Sequence, residues 1–532
     1  MAKFITAEEA AGYVGDDATL IIGGFSTYGS PEELIKGLAA RYEQSGHPKN
    51  IMIISGIAPG DKTESTEPHK GYNVGVNMLK ADGLIGGAMI GLADARAIGY
   101  MINENKIAGY LIPMGILVNL FRATAGGAPG ILTKVGLGTF CDPRFDGCMG
   151  NDKARARGPI VELMEIDGEE YLFYRTYKPD VCFIRGTYAD EDGNISTENE
   201  VMMGAELEIA AATHNKGGIV IVQVERMVKR GSIALKDVRI HRSLVDYIVV
   251  ATDPYNQSQS FLKTEFRPEL TGKIRSVLSA KAPAKLDERK VIARRAAMEL
   301  YPGAMVNFGV GMPAGVANVA SEEGIIDTFM TTVEAGSIGG VVLDGIFFPA
   351  VENAEAAYSQ PDLTNMYDGG LLDMTVLGFA EVDERGNVNV SKFAGRSGGP
   401  GGFINISQNA KKVVFIAVFT AGKPKPEFGI SDSGIEIRRD GGELKFVKNV
   451  QQITFSGEQA LKNGQKVTYI TERAVFRLTP DGLELTEIAP GVDLQTHVLD
   501  KMAFRPIISP GLREMDPRLF REARMGLDAA KG

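Results

Sequence analysis

An internal repeat limits the possible folds of this chain more than any other feature. Near the start, a capping box at 6–9 opens a short helix, and an apolar run at 19–22 and a glycine-rich turn ending at Pro31 follow it. Near the middle, Asp287 is placed to cap a helix, and an apolar run at 304–308 and a glycine turn ending at Pro313 follow in the same order. In both copies the proline is placed to begin a further helix. This recurrence predicts two related structural units.

Three further pairs of segments extend the repeat over both halves of the chain. They are 84–87 with 337–340, 192–195 with 385–388, and 215–222 with 409–416. The separation between matched segments shrinks along the chain, which indicates insertions in the first half. Because apolar runs alternate with helical patterns, the sequence predicts an α/β fold with two related, open and mostly parallel sheets.

The predicted boundary between the two units lies in a stretch that contains Pro and Lys. We expect an N-terminal domain at 1–278, a linker at 279–288 and a C-terminal domain at 289–532. After about residue 420 the pattern changes to short alternating runs such as 466–470 and 474–478. Such alternation is typical of half-exposed strands, so the sequence predicts an antiparallel extension that ends in a C-terminal arm.

Size and charge limit the class of protein. A chain of 532 residues exceeds the length at which one core stops growing, which agrees with two domains. The net charge of −10 argues against anionic partners such as nucleic acids or a membrane surface. Three cysteines without CxxC spacing, and a start without signal-peptide character, favour a cytoplasmic protein. The five histidines show no metal-binding spacing, so no metal site is expected.

One acidic side chain, Glu334, stands between a strand-like run and a glycine turn in the segment 331–340. In parallel α/β sheets ligands bind beyond the carboxyl ends of the strands, so this carboxylate is predicted to face a crevice. Matching 84–87 with 337–340 places Ala81 opposite Glu334, so only one copy carries the acid. The asymmetry favours a chemical function, and a solvated glutamate at a strand end is the structural alternative.

Two glycine-rich segments accompany this acid. Residues 309–315 read GxGxxxG, which, with Glu334 at the end of the next strand, also admits an NAD-dependent dehydrogenase. Pro313 counts against that alternative, because it occupies the place where helix N–H groups would face a pyrophosphate. Residues 395–403 form the second glycine run, whose backbone N–H groups suit an oxyanion or a phosphate. A tight surface loop is the alternative for this run.

Taken together, the motifs resemble those of the class I coenzyme A transferases, specifically the long single-chain bacterial acetate or propionate CoA-transferases. The resemblance extends over nearly the whole chain. It rests on Gly23-Gly-Phe25 with Gly29-Ser-Pro31, Gly136-Leu-Gly-Thr-Phe140 with Asp142-Pro143, Asn307-Phe-Gly-Val-Gly-Met-Pro313, Glu334-Ala-Gly336, Tyr367-Asp-Gly-Gly370, Gly386-Asn-Val-Asn-Val390, and Gly399-Pro-Gly-Gly-Phe-Ile-Asn405.

The resemblance implies two similar α/β domains with the active site where they meet. It implies that Glu334 carries CoA as a covalent glutamyl thioester while CoA passes, by ping-pong kinetics, from a short-chain acyl-CoA to a carboxylate such as acetate or propionate. Coenzyme A is then a substrate, no prosthetic group is expected, and the protein is expected to be a homo-oligomer, with a tetramer suggested. The resemblance also assigns Asn307, Gly399, Gly401 and Gly402 to the oxyanion and CoA site, and Gly24, Phe25, Gly29 and Met114 to the substrate pocket.

The chain departs from the family pattern at Met114. Where relatives usually read Pro-Gln-Gly, this chain reads Pro113-Met-Gly115. The glutamine is thought to help hold the reacting carbonyl oxygen, and a thioether donates no hydrogen bond. An acyl-CoA thioesterase on the same scaffold is therefore one alternative, and an acyl-CoA-binding sensor without turnover is another.

Overall fold

The computed structural model describes residues 2–60, 74–93, 95–260, 266–277, 283–343 and 345–527. Two large sheets organise these residues, each with its own apolar cluster. Residues 279–282 of the predicted linker lie outside the described residues, so the domain boundary stays a prediction.

The N-terminal half contains six helices and fifteen strands among its described residues. The helices are α1 (Ala7–Ala11), α2 (Glu32–Ser45), α3 (Arg96–Asn103), α4 (Met114–Ala125), α5 (Asp152–Arg157) and α6 (Glu206–Asn215). The strands are β1 (Lys3–Phe4), β2 (Thr19–Ile22), β3 (Ile51–Ser55), β4 (Ile85–Ile90), β5 (Ala108–Leu111), β6 (Gly130–Thr133), β7 (Val161–Ile166), β8 (Glu169–Arg175), β9 (Val181–Arg185), β10 (Tyr188–Asp190), β11 (Ile195–Ser196), β12 (Ile219–Val224), β13 (Arg226–Val228), β14 (Val238–Ile240) and β15 (Tyr247–Val250).

The main sheet of this half is parallel throughout. Its eight strands run in the order β1-β15-β12-β9-β2-β3-β4-β5. The central strands are continuous apolar runs, as expected of strands that helices cover on both faces. Smaller sheets of β6-β8-β7 and β13-β10-β11-β14 account for part of the extra length of the first half.

The C-terminal half contains five helices and twenty strands among its described residues. The helices are α7 (Glu288–Ala297), α8 (Ala314–Glu323), α9 (Gln360–Asp368), α10 (Phe403–Gln408) and α11 (Gly457–Lys462). The strands are β16 (Met305–Phe308), β17 (Met330–Val333), β18 (Ser337–Ile338), β19 (Val341–Val342), β20 (Val351–Glu352), β21 (Ala356–Ala357), β22 (Met374–Gly378), β23 (Glu381–Val382), β24 (Val388–Asn389), β25 (Lys392–Phe393), β26 (Arg396–Ser397), β27 (Lys412–Ile416), β28 (Thr420–Ala421), β29 (Glu427–Ser431), β30 (Gly434–Arg439), β31 (Glu443–Leu444), β32 (Lys466–Ile470), β33 (Ala474–Thr479), β34 (Gly482–Ile488) and β35 (Ile507–Glu514).

The main sheet of the C-terminal half combines a parallel centre with antiparallel flanks. Its order is β21-β18-β17-β16-β22-β27-β32-β33-β34-β35, and the five strands from β17 to β32 are parallel. The antiparallel extension is confirmed for β33 and β34. Our placement of 466–470 in that extension was wrong, because β32 pairs in parallel with β27 and completes the parallel core. The alternation of apolar and polar residues suggested a half-exposed strand, but β32 is hydrogen-bonded to a neighbouring strand on each side.

Strand order and hydrogen bonds confirm the repeat. The order β15-β12-β9-β2-β3 in the first sheet corresponds to β32-β27-β22-β16-β17 in the second. Directly after β2 the N–H of Gly23 donates to Phe183 O at 2.9 Å, and directly after β16 the N–H of Gly309 donates to Val376 O at 2.9 Å. Pro31 and Pro313 then lie directly before α2 and α8, as expected.

The register of the repeat corrects one of our matches. Strand β4 pairs in parallel with β3, whereas β18 pairs antiparallel with β17, so 84–87 and 337–340 are not equivalent. Ile21 lies opposite Ile54 in the first sheet, and its counterpart Asn307 lies opposite Thr332 in the second. Two residues further on, Gly56 therefore stands at the place of Glu334, and our assignment of Ala81 to that place was wrong. The similarity that misled us is a local Ile-Gly-Gly sequence, which occurs in a strand in one half and at a turn in the other.

Two kinds of feature are absent from the described residues. Among them, no helix has both the length and the apolar character needed to cross a bilayer. The same residues contain no group of three or more His, Cys, Asp or Glu side chains arranged to hold a metal ion.

Candidate active site

Glu334 begins the tight turn that follows β17. The N–H of Gly336 closes the turn by donating to Val333 O at 2.9 Å. Gly336 has a φ of 129°, and a Cβ there would lie 2.2 Å from Tyr358 O, so only glycine fits. The turn therefore holds the Glu334 backbone in one position at the carboxyl end of the parallel strands.

The two halves of the chain meet around this turn. Val333 and Ala335 flank Glu334 and are buried in the apolar cluster of the N-terminal half, together with Ile404 of α10. On the other side, a Cβ on Gly402 would lie 3.0 Å from Cγ of Glu334. The half-buried Glu334 side chain thus lies directly against glycine backbone at the junction of the halves.

Backbone hydrogen bonds attach the glycine run at 398–402 to the N-terminal half. Gly401 N–H donates to Gly91 O at 2.8 Å, and Gly401 O accepts from Met114 N–H at 2.8 Å. Gly399 has a φ of 84°, and a Cβ there would lie 2.7 Å from Gly91 O. We expected this segment to provide free N–H groups, and Gly401 does not, because its N–H is already bonded. Gly399 and Gly402 donate to no acceptor among the described residues, so their N–H groups stay available.

The electrostatic environment of Glu334 combines opposing effects. Burial raises the pKa of the Glu334 carboxyl, while its own backbone N–H and the amide of Asn307 act to lower that pKa. Asn307 is fully buried in β16 and donates from Nδ2 to Thr332 O at 3.1 Å. Its Oδ1 has no hydrogen-bond partner within the described part of the chain. The carboxylate is therefore poorly solvated, which makes it more reactive than a glutamate in water.

The half-buried side chain of Asp368 supports the same junction from α9. Both of its oxygens accept hydrogen bonds from Asn405 Nδ2, at 2.9 and 3.1 Å. Asn405 Oδ1 in turn accepts from Gly115 N–H at 3.0 Å, so this connection crosses between the halves. Burial raises the pKa of Asp368 to about 7. Sequence reasoning missed this role, although the residue lies in the quoted Tyr367-Asp-Gly-Gly370 motif.

Met114, assigned to the substrate pocket, is the first residue of α4 and is fully buried. It lies beside Gly91, where an added Cβ would come within 3.1 Å of the Met114 Cβ. Met114 therefore lies next to the glycine run, where its backbone N–H donates to Gly401 O. Its side chain offers no hydrogen-bond donor there.

The other predicted pocket residues form a turn after β2. Phe25 and Tyr28 exchange backbone hydrogen bonds of 2.8 and 2.9 Å, and Phe25 also pairs with Ile57, just beyond β3. Gly24 has a φ of 105°, and a Cβ there would lie 2.9 Å from Tyr28 O. Tyr28 OH donates to Phe347 O at 2.8 Å, which links this turn to the C-terminal half. No hydrogen bond among the described residues joins the turn to Glu334.

Comparison with known proteins identifies the class of this fold and site. A family model described as Coenzyme A transferase matches residues 4–251. The chain is 44% identical over its full length to caffeate CoA-transferase of Acetobacterium woodii, which it covers completely. It is 43% identical to the acetate CoA-transferase YdiF of Escherichia coli, over 98% of this chain and 96% of that protein.

Solved structures agree with these relatives. The apoenzyme of the acyl-CoA transferase YdiF from Escherichia coli O157:H7 matches with a TM-score of 0.91 and 41% identity, over 99% of this chain and 98% of that one. The same protein as a thioester complex with CoA matches with a TM-score of 0.90. The chain belongs to the coenzyme A transferase family, as the sequence motifs predicted. It is therefore an enzyme that transfers CoA between an acyl-CoA and a carboxylate, and the dehydrogenase alternative has no support.

Proposed function

We propose that this enzyme transfers CoA from a short-chain acyl-CoA to a carboxylate such as acetate or propionate, through a glutamyl-CoA thioester on Glu334. The observation that carries the proposal is the packing of this poorly solvated carboxylate against Gly402 at the junction of the halves. The corresponding place in the other half is a glycine, so the repeat provides one carboxylate for the crevice. The thioester complex solved for the E. coli relative supports a covalent route.

The proposed reaction needs two displacements in each half-reaction. An oxygen of Glu334 attacks the thioester carbonyl carbon, the carbon–sulfur bond breaks, and CoA leaves as a thiolate, which gives a mixed anhydride. The thiolate then attacks the glutamyl carbonyl carbon and expels the donor carboxylate, which leaves glutamyl-CoA. An acceptor carboxylate reverses both steps. Since one thioester replaces another, the equilibrium constant is near unity for acids of similar structure.

Each tetrahedral step places negative charge on a carbonyl oxygen, which needs hydrogen-bond donors. The available candidates beside Glu334 are the free N–H of Gly402 and the amide of Asn307. Gly399 offers a further free N–H for CoA or the oxyanion, whereas Gly401 contributes by holding the loop to Gly91. These individual roles refine the assignment of all four residues to the oxyanion and CoA site.

Met114 supports one second candidate function. Loss of an oxyanion donor slows every displacement at a carbonyl, and water competes when transfer is slow. Thioesterase activity is therefore the alternative on this scaffold, and a binding-only sensor would show neither activity. The relatives named above use different acids, so they leave the acceptor open between aromatic and short-chain acids.

Trapping the intermediate tests the proposal. After incubation with acetyl-CoA, mass spectrometry of the digested enzyme should find CoA attached to the peptide that contains Glu334, and E334A should lose both the adduct and transfer. E355A is the matched control, since Glu355 is an exposed carboxylate in the neighbouring hairpin and should keep full activity. Transfer at the wild-type rate by E334A would refute the proposal, and free thiol without a new acyl-CoA would identify the thioesterase.

Assembly and location are proposed from the family resemblance alone. We propose a cytoplasmic homo-oligomer, with a tetramer as the first expectation, that needs no prosthetic group. Light scattering of the purified enzyme would measure the assembly, and a monomer would refute it.

A further inference from the structure

Two series of contacts connect the surroundings of Glu334 with a buried acid, Glu206. The first route passes through the N-terminal half. Gly401 N–H donates to Gly91 O, and Gly91 N–H donates to Gly56 O at 2.9 Å. Next to Gly56, Ile57 pairs with Phe25 of the glycine turn.

The glycine turn completes this first route. A Cβ on Gly29, at the end of the turn, would lie 3.3 Å from Gly24 Cα and 3.9 Å from Glu206 Oε1. Gly29 and Gly24 are residues that the sequence assigned to the substrate pocket. Glu206 therefore borders the predicted pocket.

The second route passes through the C-terminal half. Two residues after Glu334, Gly336 O accepts from Tyr358 N–H at 2.8 Å. Two residues further on, Gln360 N–H donates to Gly204 O at 3.0 Å. The carboxyl group of Glu206 lies directly over Gly204, where an added Cβ would be 2.2 Å from Glu206 Oε2. The two routes thus connect the backbone beside Glu334 with the residues around Glu206.

Glu206 and Gln360 both have polar atoms without partners. Their side chains are 6% and 4% exposed, and neither Glu206 Oε2 nor Gln360 Nε2 makes a hydrogen bond to any described residue. Buried polar groups are normally paired, because an unpaired one loses its hydration without compensation. Two such groups on either side of Gly204 indicate that something other than the protein satisfies them.

The charge state of Glu206 indicates what kind of group would fit. Burial and the nearby carboxylates Glu200 and Glu208 raise its pKa to about 8, against the opposing effect of Arg239. Burial therefore favours the protonated form of this carboxyl group, which can both donate and accept a hydrogen bond. Its neighbour Glu208 differs, because it has two cationic partners: Arg122 lies 3.0 Å from its Oε1 and Arg239 lies 3.7 Å from its Oε2.

We infer that Glu206 and Gln360 form a polar subsite at the far wall of the acyl pocket, which binds a hydroxyl group at the end of the acyl chain. A hydroxyl can donate a hydrogen bond to the unpaired oxygen of Glu206 and accept one from the unpaired amide NH₂ of Gln360. The inference depends on the proposed function, because it places the reacting carbonyl at Glu334. A site built to pair a substrate hydroxyl discriminates against the acid that lacks it.

Matched pairs of acceptor acids test the subsite. Transfer from acetyl-CoA is measured for propionate, butyrate and valerate, and for the same acids with a terminal hydroxyl. In the wild type at least one hydroxylated acid should have the higher kcat/KM of its pair. Glu206→Leu should lower kcat/KM for that acid by about 10- to 100-fold, the effect of an unpaired buried polar group, and leave its plain partner within about threefold. Glu206→Gln, which keeps hydrogen-bonding atoms, should retain most of the preference.

His214→Gln is the matched control, since it changes an exposed polar side chain at the other end of α6 and should leave the ratio within each pair unchanged. If Glu206→Leu does not fold, Gln360→Leu carries the same expectation. Equal ratios in wild type and variant, or an equal loss for plain and hydroxylated acids, would overturn the subsite. Failure of the proposed function is distinguishable, because the wild type would then transfer CoA to none of these acids.

Discussion

Replacing Gly402 by alanine isolates the packing of Glu334 from other effects. Gly402 has a φ of −82°, which any residue adopts, so the added methyl group introduces no backbone strain. The methyl carbon would lie 3.0 Å from Glu334 Cγ, whereas carbon atoms at ordinary contact are roughly 3.5–4.0 Å apart. Glu334 must then move by a few tenths of an ångström.

This displacement sets the size of the expected effect. Misplacing a reacting group by about 1 Å can cost about 100-fold in rate, or about 3 kcal/mol of activation free energy. Because the expected displacement is smaller than 1 Å, we expect Gly402→Ala to lower kcat by about 3- to 10-fold. The free energy of unfolding should change little or rise by about 0.4–1 kcal/mol, because alanine reduces the entropy of the unfolded chain.

Steady-state kinetics, the rate of adduct formation on Glu334 and thermal unfolding would together measure these effects. Gly398→Ala is the matched control in the same loop, since its methyl group would meet only Ser391 O at an ordinary 3.7 Å. It should keep nearly full activity. Wild-type kcat in Gly402→Ala, or equal losses in both variants, would refute the argument that the glycine backbone positions the carboxylate.

Two further predictions concern the junction between the halves. Met114→Gln should raise transfer by about tenfold or more if the missing donor limits the rate, and an unchanged rate would show that the remaining donors suffice. Asp368→Asn should stabilise the protein increasingly as pH rises: the pKa of Asp368 is about 7 when folded and lower when unfolded, so the wild type loses stability between those values. Thermal unfolding from about pH 5 to about pH 8 should show a gain of roughly 1–3 kcal/mol for the variant at the upper end, and a pH-independent difference would contradict it.

The sequence predicted correctly the features that a contiguous motif encodes and that the sheet requires at the same place. The glycine turns after β2 and β16 recur because each must leave the strand for a helix at the same edge, so their equivalence could be read directly. The comparison of the two halves failed where the matching segment was only a few residues long. The Ile-Gly-Gly segments matched by composition alone, and only the strand register identifies Gly56 as the counterpart of Glu334.

The remaining errors came from contacts that no single segment encodes. Nothing in the run at 398–402 shows that Gly401 N–H is bonded to Gly91, since the acceptor lies about 300 residues away in the sequence. The connection from Asp368 through Asn405 to Gly115 likewise joins three separate segments. Motifs predicted which residues gather at the junction, and the structure was needed to show which of their polar groups are free.

The repeat also explains why a single crevice forms between two similar halves. At the place of Glu334 the first half has Gly56, where an added Cβ would already lie 3.1 Å from Val118 Cγ1 of α4. Helix α4 thus fills the space that a second carboxylate would need, and its first residues, Met114 and Gly115, bond to Gly401 and Asn405 of the opposite half. The helix that excludes a second acid is therefore the same element that holds the glycine loop against Glu334. A carboxylate introduced at Gly56 should destabilise the fold instead of creating a second site, because a buried charge without a partner would be forced against Val118.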